Sequence, residues 1–450
     1  MHYLDRLAEL AAATRFDALP RSTIAAAKLV LLDTLGAIVA GSAMPENGEL
    51  ARLAAARSPS GGATVLGHRG KADAFWAALT NATAGVALEV DEGSRLGGGH
   101  PAIHVVPGAL AVAEERKLDG RRLLESVVAG YEVGSRLGGA TTVRANVHSH
   151  GTWGTISTAV AVAQLAHAPA QIVRDVMNLA ASMSPANTWT PALDGATIRN
   201  LYPGRSAFQG ILAVELQRCG FTGLADAPAD VYGTILAERF EPELAIAGLD
   251  SLTRAGYRIE QNYFKLHACC RFNHFALDAI AALRSAHRLD AGDVEKVEIV
   301  TIPFAVRMGE PAPSSSLAAR FSIPWAVSAS LVLGRTDPSA FDANALADER
   351  IHALARRVEI STDPEMSPRR ADAPTAHVRL VLRGGKILER TTSVVRGDAL
   401  SPVPRDEITA KFVSLAGAIL GEPQARKVVD VVEDADALGD VGALTAMLVP

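Results

Sequence analysis

Residues 272–302 read FNHFALDAIAALRSAHRLDAGDVEKVEIVTI, and the hydrophobic pattern changes its period within this stretch. In residues 272–286 the apolar side chains recur three and four positions apart, which predicts a helix with one buried face. In residues 294–302 apolar and polar side chains alternate, which predicts a half-buried strand. The change near Asp290 therefore separates a helical region from a region that contains a sheet.

The rest of the chain follows the same division. Before the change, helices are predicted over residues 21–40, 72–88, 101–116, 119–137, 153–165, 168–183 and 206–219. After it, strands are predicted over residues 358–362, 378–382 and 387–391, the last two forming a hairpin, and helices over residues 323–333 and 343–357. Residues 366–374 are predicted to form an exposed loop, and helices return over residues 407–420 and 424–432.

These patterns predict a mainly α protein of two domains, which is also the natural expectation for 450 residues. The large all-helical domain is predicted to comprise residues 1–265 and 398–450, and the small α+β domain residues 266–397. Sequence alone does not require the C-terminal helices to pack against the large domain.

Composition restricts the classes of function. A net charge of −5 gives no electrostatic reason to bind nucleic acid or an anionic membrane. We expect no secretory signal, because residues 1–6 carry no basic segment that leads into an apolar core. We also expect no membrane-spanning helix, because the apolar windows are interrupted by Gly, Asp or Arg. The three cysteines, Cys219, Cys269 and Cys270, suggest a reducing compartment, and we expect a cytoplasmic protein.

Residues 265–274, KLHACCRFNH, carry the densest set of chemical groups. They lie just before a predicted buried helix, and the amide-rich start of a helix favours negative charge. Lys265 and Arg271 at this place indicate a ligand that bears carboxylate or phosphate, although both could also lie at a domain surface with their aliphatic stems packed.

Three further segments carry groups suited to acid–base chemistry or anion binding. Residues 97–101, GGGHP, follow the acidic residues of 89–92, and their glycine amides could form an anion-binding nest before His100. Residues 148–155 supply histidines, whose pKa suits proton transfer near neutrality. Arg199 and Arg205 flank a Pro-Gly turn and could bind carboxylates bidentately. Capping loops and surface arginines are the structural alternatives.

Other chemistries fit the sequence poorly. His267, Cys269, Cys270 and His274 lack the ligand spacing of a structural zinc site, so we expect no metal and consider the cysteines packing residues. There is no GxGxxG dinucleotide motif and no GxSxG nucleophile motif. Proton chemistry without a cofactor is the remaining interpretation.

In chain order, the segments LDTLG at 32–36, LEVDE at 88–92, GHP at 99–101, HSHGTWGT at 148–155, LYPGRSAFQG at 201–210 and KLHACCRFNH at 265–274 resemble the MmgE/PrpD family. The resemblance extends over nearly the whole chain. It implies a large all-helical domain with a smaller α+β lid domain, usually in a homodimer. It also implies an activity on small polycarboxylic acids, because the family includes 2-methylcitrate dehydratases, cis-aconitate decarboxylases and iminodisuccinate epimerases.

The resemblance also assigns roles to residues. Lys265 and His148 are predicted to transfer protons, and His100, oriented by Asp91, is predicted to act as a second acid or base. The predicted carboxylate-binding residues are Arg199, Arg205 and Arg271, and the rest of the predicted substrate-binding set is His150, Tyr202 and His267.

The sequence departs from the family pattern at five positions, one of which is Gly93, where the family often has a threonine and this chain lacks the hydroxyl. Glu89 replaces an aspartate, Arg199 stands where many members have lysine, and His150 replaces a small residue. Cys270 lies near the position where the decarboxylase branch carries a histidine. Because arginine stays protonated in proteins, Arg199 can bind an anion but cannot readily serve as a base.

We therefore predict a cofactor-independent lyase, most simply a dehydratase, that removes a proton next to a carboxylate of a small di- or tricarboxylic acid. The alternatives are an epimerase or other isomerase, a decarboxylase of a similar acid, and a non-catalytic carboxylate-binding protein. The order in which His100, His148 and Lys265 act, and the identity of the acid, are open at this stage.

Overall fold

The structure, a computed structural model, describes residues 1–367, 373 and 375–450. Within these residues the chain forms 21 α-helices and ten β-strands. The fold is mainly α, with a large helical domain and a smaller α+β domain, which confirms the predicted fold class. Most of the predicted loop at residues 366–374 lies outside the described residues, and the predicted domain boundaries stay a prediction.

The helices up to the sheet region are α1 (Tyr3–Ala13), α2 (Arg21–Gly41), α3 (Pro45–Arg57), α4 (Ala74–Val86), α5 (Pro101–Glu115), α6 (Gly120–Gly139), α7 (Gly154–Leu165), α8 (Ala170–Ser182), α9 (Thr190–Asp194), α10 (Leu201–Arg218), α11 (Ala227–Val231), α12 (Pro242–Ile246), α13 (Leu252–Ala255) and α14 (Arg271–Ala286). The later helices are α15 (Ser316–Arg320), α16 (Ile323–Leu333), α17 (Ala343–Leu346), α18 (Glu349–Ala355), α19 (Arg405–Leu420), α20 (Glu422–Glu433) and α21 (Gly442–Thr445).

The strands are β1 (Ala63–Val65), β2 (Gly70–Ala72), β3 (Gly93–Ser94), β4 (Thr141–Val143), β5 (Ala237–Phe240), β6 (Asn262–Tyr263), β7 (Val294–Thr301), β8 (Val358–Thr362), β9 (Ala376–Leu382) and β10 (Ile387–Thr392). β7 to β10 form one four-stranded sheet in the order β10-β9-β7-β8. β9 pairs antiparallel with both β10 and β7, whereas β8 runs parallel to β7, so the predicted hairpin and the predicted strands are confirmed.

Local capping explains where several helices begin. α6 starts after Asp119, whose carboxylate accepts a hydrogen bond from the Arg122 amide at 2.8 Å. α10 begins at Leu201, five residues before the predicted start, because Pro203 is tolerated in a first turn. The single helix predicted over residues 343–357 is wrong: α17 ends at Leu346, and the Asp348 side chain then caps α18 by accepting from the Arg350 amide at 2.9 Å.

Two hydrophobic cores hold the chain together. One is formed mainly by the N-terminal helices and includes Phe412 of α19 and Val428 of α20, so the C-terminal helices pack against the large domain. At this contact α19 lies so close to α2 that a Cβ on Gly36 would be 2.9 Å from the Phe412 ring. The second core joins the sheet to α14 and α16 and includes Ile280 and Val297.

α2 is the one helix in the described residues that is long and apolar enough to cross a membrane. Its most apolar window is 72% buried within the protein. Core helices share this composition, so the helix is explained by packing.

A short strand pair positions the chemical groups. β3 and β6 pair antiparallel, with Gly93 opposite Tyr263 and Ser94 opposite Asn262. A side chain on Gly93 would collide with the Tyr263 ring, because an added Cβ would lie 2.3 Å from the hydroxyl oxygen. The pairing brings the acidic residues of 89–92 next to Lys265, although about 175 positions separate them in sequence.

Candidate active site

Lys265 and two carboxylates form a buried ionic cluster. The Lys265 Nζ lies 2.9 Å from Oε2 of Glu89 and 3.3 Å from Oδ1 of Asp91. The second carboxylate oxygen of Glu89 lies 2.6 Å from Nη2 of Arg199. All four side chains are almost completely buried, so the two cations and two anions compensate one another without water.

The backbone at Glu89 has φ of +54°, a conformation that non-glycine residues rarely adopt. A conformation of this kind persists only where the surroundings hold it, and it is concentrated at functional sites. Here Lys265 and Arg199 hold the Glu89 carboxylate. Glu89 stands where the family pattern has the shorter aspartate, and its carboxylate contacts both cations.

The pKa values of the cluster follow from these contacts. Burial opposes the charged form of Asp91, but Lys265 and His100 outweigh it and hold the Asp91 pKa far below its ordinary value. Burial likewise opposes the charge of Lys265, but Asp91 and Glu89 raise the Lys265 pKa above that of an ordinary lysine. At neutral pH Lys265 is therefore an ammonium group, which cannot accept a proton and holds its own proton more tightly than an ordinary lysine does.

His100 lies at the junction where the chain enters α5, as predicted. Its Nδ1 is 3.0 Å from Oδ2 of Asp91 and 2.6 Å from the carbonyl oxygen of Glu92. Two acceptors around Nδ1 place the proton on that nitrogen, which leaves Nε2 as the basic nitrogen. The Asp91–His100 pair therefore has the arrangement in which a carboxylate orients an imidazole for proton transfer.

Glu92 fixes the frame in which His100 sits. Its Oε1 accepts a hydrogen bond from the Ala102 amide at 2.7 Å, in the first turn of α5, while its own carbonyl contacts the His100 ring. Burial holds the pKa of Glu92 well above the ordinary value and so favours the protonated, neutral form of its carboxyl group.

Three further histidine rings are packed together behind His100. The His150 ring centre lies 4.7 Å from that of His100, 4.8 Å from that of His148 and 5.5 Å from that of His104. Burial lowers the pKa of His148 and His150 well below the ordinary value, and that of His104 to about 3. These three imidazoles are therefore neutral.

The tautomer of His148 follows from one contact. Its Nδ1 accepts the backbone N–H of His150 at 3.0 Å, so the proton of the neutral ring is on Nε2. Nε2 is buried and has no hydrogen-bond partner among the described residues. In this form His148 can donate a hydrogen bond to a ligand, whereas it cannot readily take a proton.

A cavity of about 270 Å³ opens beside His100. Its walls come from residues 94–100, from residues 143–149 and from the start of α14 with Tyr263, and the aromatic rings of Trp189 and Phe304 complete it. Arg95, Arg144 and Arg271 line it, and no acidic residue does so within the described part of the chain. The cavity is consequently suited to a small anion.

The three arginines are held differently. The Arg271 guanidinium stacks 3.9 Å from the centre of the Tyr263 ring, and its Nη2 donates to Oδ2 of Asp398 at 2.7 Å. Arg95 lies 3.8 Å from the same carboxylate oxygen. Arg144 donates to the backbone oxygens of Ile235 and Thr234 at 2.8 and 3.3 Å, and these neutral acceptors leave its charge uncompensated.

Of the ten predicted site residues, His100 and Arg271 line the cavity. Asp91, Lys265, Arg199, His148 and His150 form the buried layer behind it. Tyr202 is also buried, next to His148, and its hydroxyl donates to the Thr188 oxygen at 3.3 Å.

The other two predicted residues lie apart from this layer. Arg205 is exposed on α10, and its Nη2 donates to Oδ1 of Asn187 at 2.8 Å. Both ring nitrogens of His267 are engaged, one with Thr336 at 2.6 Å and the other with Asp278 at 3.1 Å. Neither side chain lines the cavity, so their proposed contact with substrate stays a prediction.

The predicted glycine nest before His100 is largely filled by its own loop. The Gly97 amide donates to Oγ of Ser94 at 2.9 Å, and the Gly99 amide donates to the backbone carbonyl oxygen of Ser94 at 3.3 Å. Those two amides are unavailable to a ligand. Arginine side chains, rather than this loop, supply the positive charge of the cavity.

Asp91, His100 and His150 could each offer one atom to a metal ion, since these atoms lie within 4.8 Å of one another. The ammonium group of Lys265 lies 3.3 Å from the same Asp91 carboxylate and competes with any cation for it. The donor set therefore fits the ion pair better than a divalent metal.

Sequence reasoning missed Arg95, Arg144 and Tyr263, which line the cavity, and Asp398, whose carboxylate contacts Arg271 and Arg95. The four residues lie in separate segments with no common motif, and only the pairing of β3 with β6 explains why Tyr263 belongs here. His104 carried a detectable signal, because it follows His100 by four positions on α5 and so lies on the same helix face.

Two family models match the chain. The family model described as the MmgE/PrpD N-terminal domain matches residues 5–238, and that of the MmgE/PrpD C-terminal domain matches residues 267–437.

Three curated relatives are similar over nearly their whole length. Cis-aconitate decarboxylase from Aspergillus terreus is 23% identical, with 96% of this chain and 93% of that protein covered. The cis-aconitate decarboxylase-like protein oryM from Aspergillus oryzae is 22% identical, with 96% and 94% covered. Cis-aconitate decarboxylase from Mus musculus is 24% identical, with 94% and 88% covered.

Proposed function

The chain belongs to the MmgE/PrpD family, and from this premise we propose that it is a lyase acting on a small di- or tricarboxylic acid. The observation that carries the proposal is the cavity that His100 and three arginines line, with no acidic residue among the described residues that line it. Polycarboxylates need cations to bind them, and a proton next to a carboxylate needs a positioned base to remove it.

His100 is the base of the proposed reaction. Its Nε2 takes the proton from the carbon next to a carboxylate, and Asp91 stabilises the imidazolium that forms, from 3.0 Å. In a dehydration the carbon–oxygen bond then breaks, and the imidazolium gives the proton to the leaving hydroxide, which departs as water. The negative charge that develops on the substrate carboxylate is stabilised by Arg271 and its neighbours.

Lys265 acts on the Asp91–His100 pair as a fixed positive charge. Its ammonium group keeps Asp91 and Glu89 ionised, and an ionised Asp91 is the form that orients His100. We propose this role in place of the expectation that Lys265 transfers a proton. His148, with a proton on Nε2, is a hydrogen-bond donor within the buried layer behind the cavity.

Dehydration is the reaction we favour within the lyase class. Cys270 lines the cavity, and in sequence it lies near the position where the decarboxylase branch is expected to carry a histidine. Burial raises the pKa of the Cys270 thiol to about 12. A protonated thiol cannot provide the acid–base function of an imidazole at neutral pH. Decarboxylation is the second candidate, because three relatives of low identity carry that name.

We also propose that the protein functions as a cytoplasmic homodimer, as the family resemblance implies. All three cysteines are free thiols, in accordance with a reducing compartment. Its ligand is a small polycarboxylate, and neither a cofactor nor nucleic acid enters the proposal.

Proton NMR in D₂O tests the proposal directly. The protein is incubated with citrate-, methylcitrate-, aconitate-, malate- and aspartate-like acids, and the spectra are followed in time. Dehydration or hydration predicts the appearance or loss of a vinylic signal. Decarboxylation predicts release of carbon dioxide from a ¹³C-carboxyl-labelled acid.

The remaining outcomes of this experiment separate the alternatives. Deuterium uptake without a change in composition would favour an epimerase. Tight binding of an acid without any exchange would favour a non-catalytic binding protein. Neither binding nor turnover of any acid would contradict the proposal.

A further inference from the structure

We propose that the substrate carries, beside its carboxylates, a short aliphatic substituent of two or more carbons that packs against Trp189, Phe272 and Phe304. This inference rests on the proposed function and specifies the class of acid. The observation behind it is that two distinct groups of side chains line the same cavity, one polar and cationic and the other aromatic.

The cationic group accounts for the carboxylates. His100, Tyr263 and Arg271 are contiguous, because the Tyr263 ring centre lies 6.1 Å from that of His100 and 3.9 Å from the Arg271 guanidinium carbon. Arg95 and Arg144 also line the cavity. The reacting carbon has to lie at this group, within reach of Nε2 of His100.

The aromatic group is equally continuous. The Phe304 ring centre lies 4.9 Å from that of Trp189 and 5.2 Å from that of Phe272. The three rings come from separate segments. All three line the cavity, and each is only partly buried. Val143 and Val147 line the same cavity, so much of its wall offers nothing to a carboxylate.

An acid made only of carboxylates and hydroxyls would leave this surface without a suitable partner. A charged group placed against the rings would lose hydration without gaining a hydrogen bond. An alkyl group there would be removed from water, which strengthens binding by about fourfold for each buried methylene. The lining therefore selects an acid with one charged end and one apolar arm.

The size of the cavity limits that arm. At about 270 Å³ it lies near the lower end of ligand pockets, which are about 300–1,000 Å³. Part of this space must hold the carboxylates, so a long acyl chain would not fit. A single methyl group, in turn, would cover only a fraction of three aromatic rings.

The test is a homologous series of the acid that the enzyme turns over, substituted with hydrogen, methyl, ethyl or propyl at each substitutable carbon. At the carbon whose substituent meets the rings, we expect kcat/KM to rise by about threefold to fourfold per carbon from hydrogen to ethyl or propyl. The Phe304→Ala variant should lower the ratio of kcat/KM for the propyl acid to kcat/KM for the unsubstituted acid by about tenfold. Phe221→Ala, at a ring that is 61% exposed, is the matched control.

The outcomes separate the inference from the proposed function. If the unsubstituted or the methyl acid is the best substrate at every position, the inference is wrong although the lyase proposal stands. If no acid is turned over, the lyase proposal fails, and the dissociation constants of the same four substitutions made on the citrate- and malate-like acids of the NMR panel decide whether the apolar arm is recognised. If Phe304→Ala does not fold, the substrate series on the wild-type protein still gives the answer.

Discussion

The Nζ of Lys265 lies 2.9 Å from Oε2 of Glu89, in a pair whose side chains are 0% and 1% exposed. A pair so deeply buried is held by mutual compensation, because either charge left alone would be very costly. This relationship fixes the charge state of Lys265 and leaves His100 as the base that reaches the cavity.

Lys265→Met should destabilise the protein strongly. Removal of one partner of a buried pair typically lowers the free energy of unfolding by about 3–5 kcal/mol, and here Glu89 and Asp91 would both lose a cation. Urea denaturation measures the change. Lys296→Met removes a lysine from a surface ion pair and should have little effect, so equal effects of the two variants would contradict the account.

Arg199→Lys and Arg205→Lys distinguish a structural arginine from a surface one. Arg199 is 1% exposed and bound to Glu89 at 2.6 Å, so the lysine variant should lose about 1–3 kcal/mol of unfolding free energy. Arg205→Lys should leave both stability and KM nearly unchanged, because this side chain is exposed. If Arg205→Lys raised KM about tenfold, Arg205 would contact the substrate after all.

Glu92→Gln and Glu92→Ala test how His100 is positioned. The glutamine oxygen can still accept from the Ala102 amide, so turnover should stay within about threefold of the wild type. Glu92→Ala removes the acceptor and should lower turnover by about 10–100-fold through displacement of His100. Equal turnover of the two variants would exclude a positioning role.

Glu92→Gln should also change how the stability of the protein depends on pH. The folded-state pKa of Glu92 is raised, so its contribution is complete below the unfolded-state pKa of about 4.3 and is lost as pH rises towards the folded value. Relative to the wild type, Glu92→Gln should therefore become more stable as pH rises above about 4.3. A difference that does not change with pH would contradict a neutral Glu92.

His150→Gln should show the opposite dependence. The folded-state pKa of His150 is lowered, so its contribution is present above about pH 6.5 and is lost as pH falls. Since the variant lacks this group, its stability relative to the wild type should rise below about pH 6.5, by up to about 1.4 kcal/mol per pH unit. A difference between His150→Gln and the wild type that does not change with pH would contradict a lowered pKa of His150.

The spacing of apolar residues predicted most of the fold, because the pattern of buried and exposed positions in each helix or strand can be read from the residues of that element alone. Strand β7 has the alternating burial that its sequence predicts, with Val297 and Ile299 buried between more exposed neighbours. The break between α17 and α18 was missed because apolar spacing continues across it, and only the cap at Asp348 reveals it.

The site was predictable where one segment carries several chemical groups. The sequence identified His100, Asp91 and Lys265, and the structure brings them together. It could not show that Lys265 is sealed behind the cavity, since spacing does not tell which side of a loop faces solvent. Asp398 escaped notice because its contact with Arg271 depends on the return of the chain after the sheet.

The most direct test of the central claim is the turnover of His100→Gln on the acid identified by NMR, with solvent-deuterium incorporation measured in the same samples. If Nε2 of His100 moves the proton, both rates should fall by about 10²–10⁴-fold, while His287→Gln keeps the wild-type rates. Near-normal turnover and exchange in a folded His100→Gln protein would contradict the account and assign the proton transfer to another group.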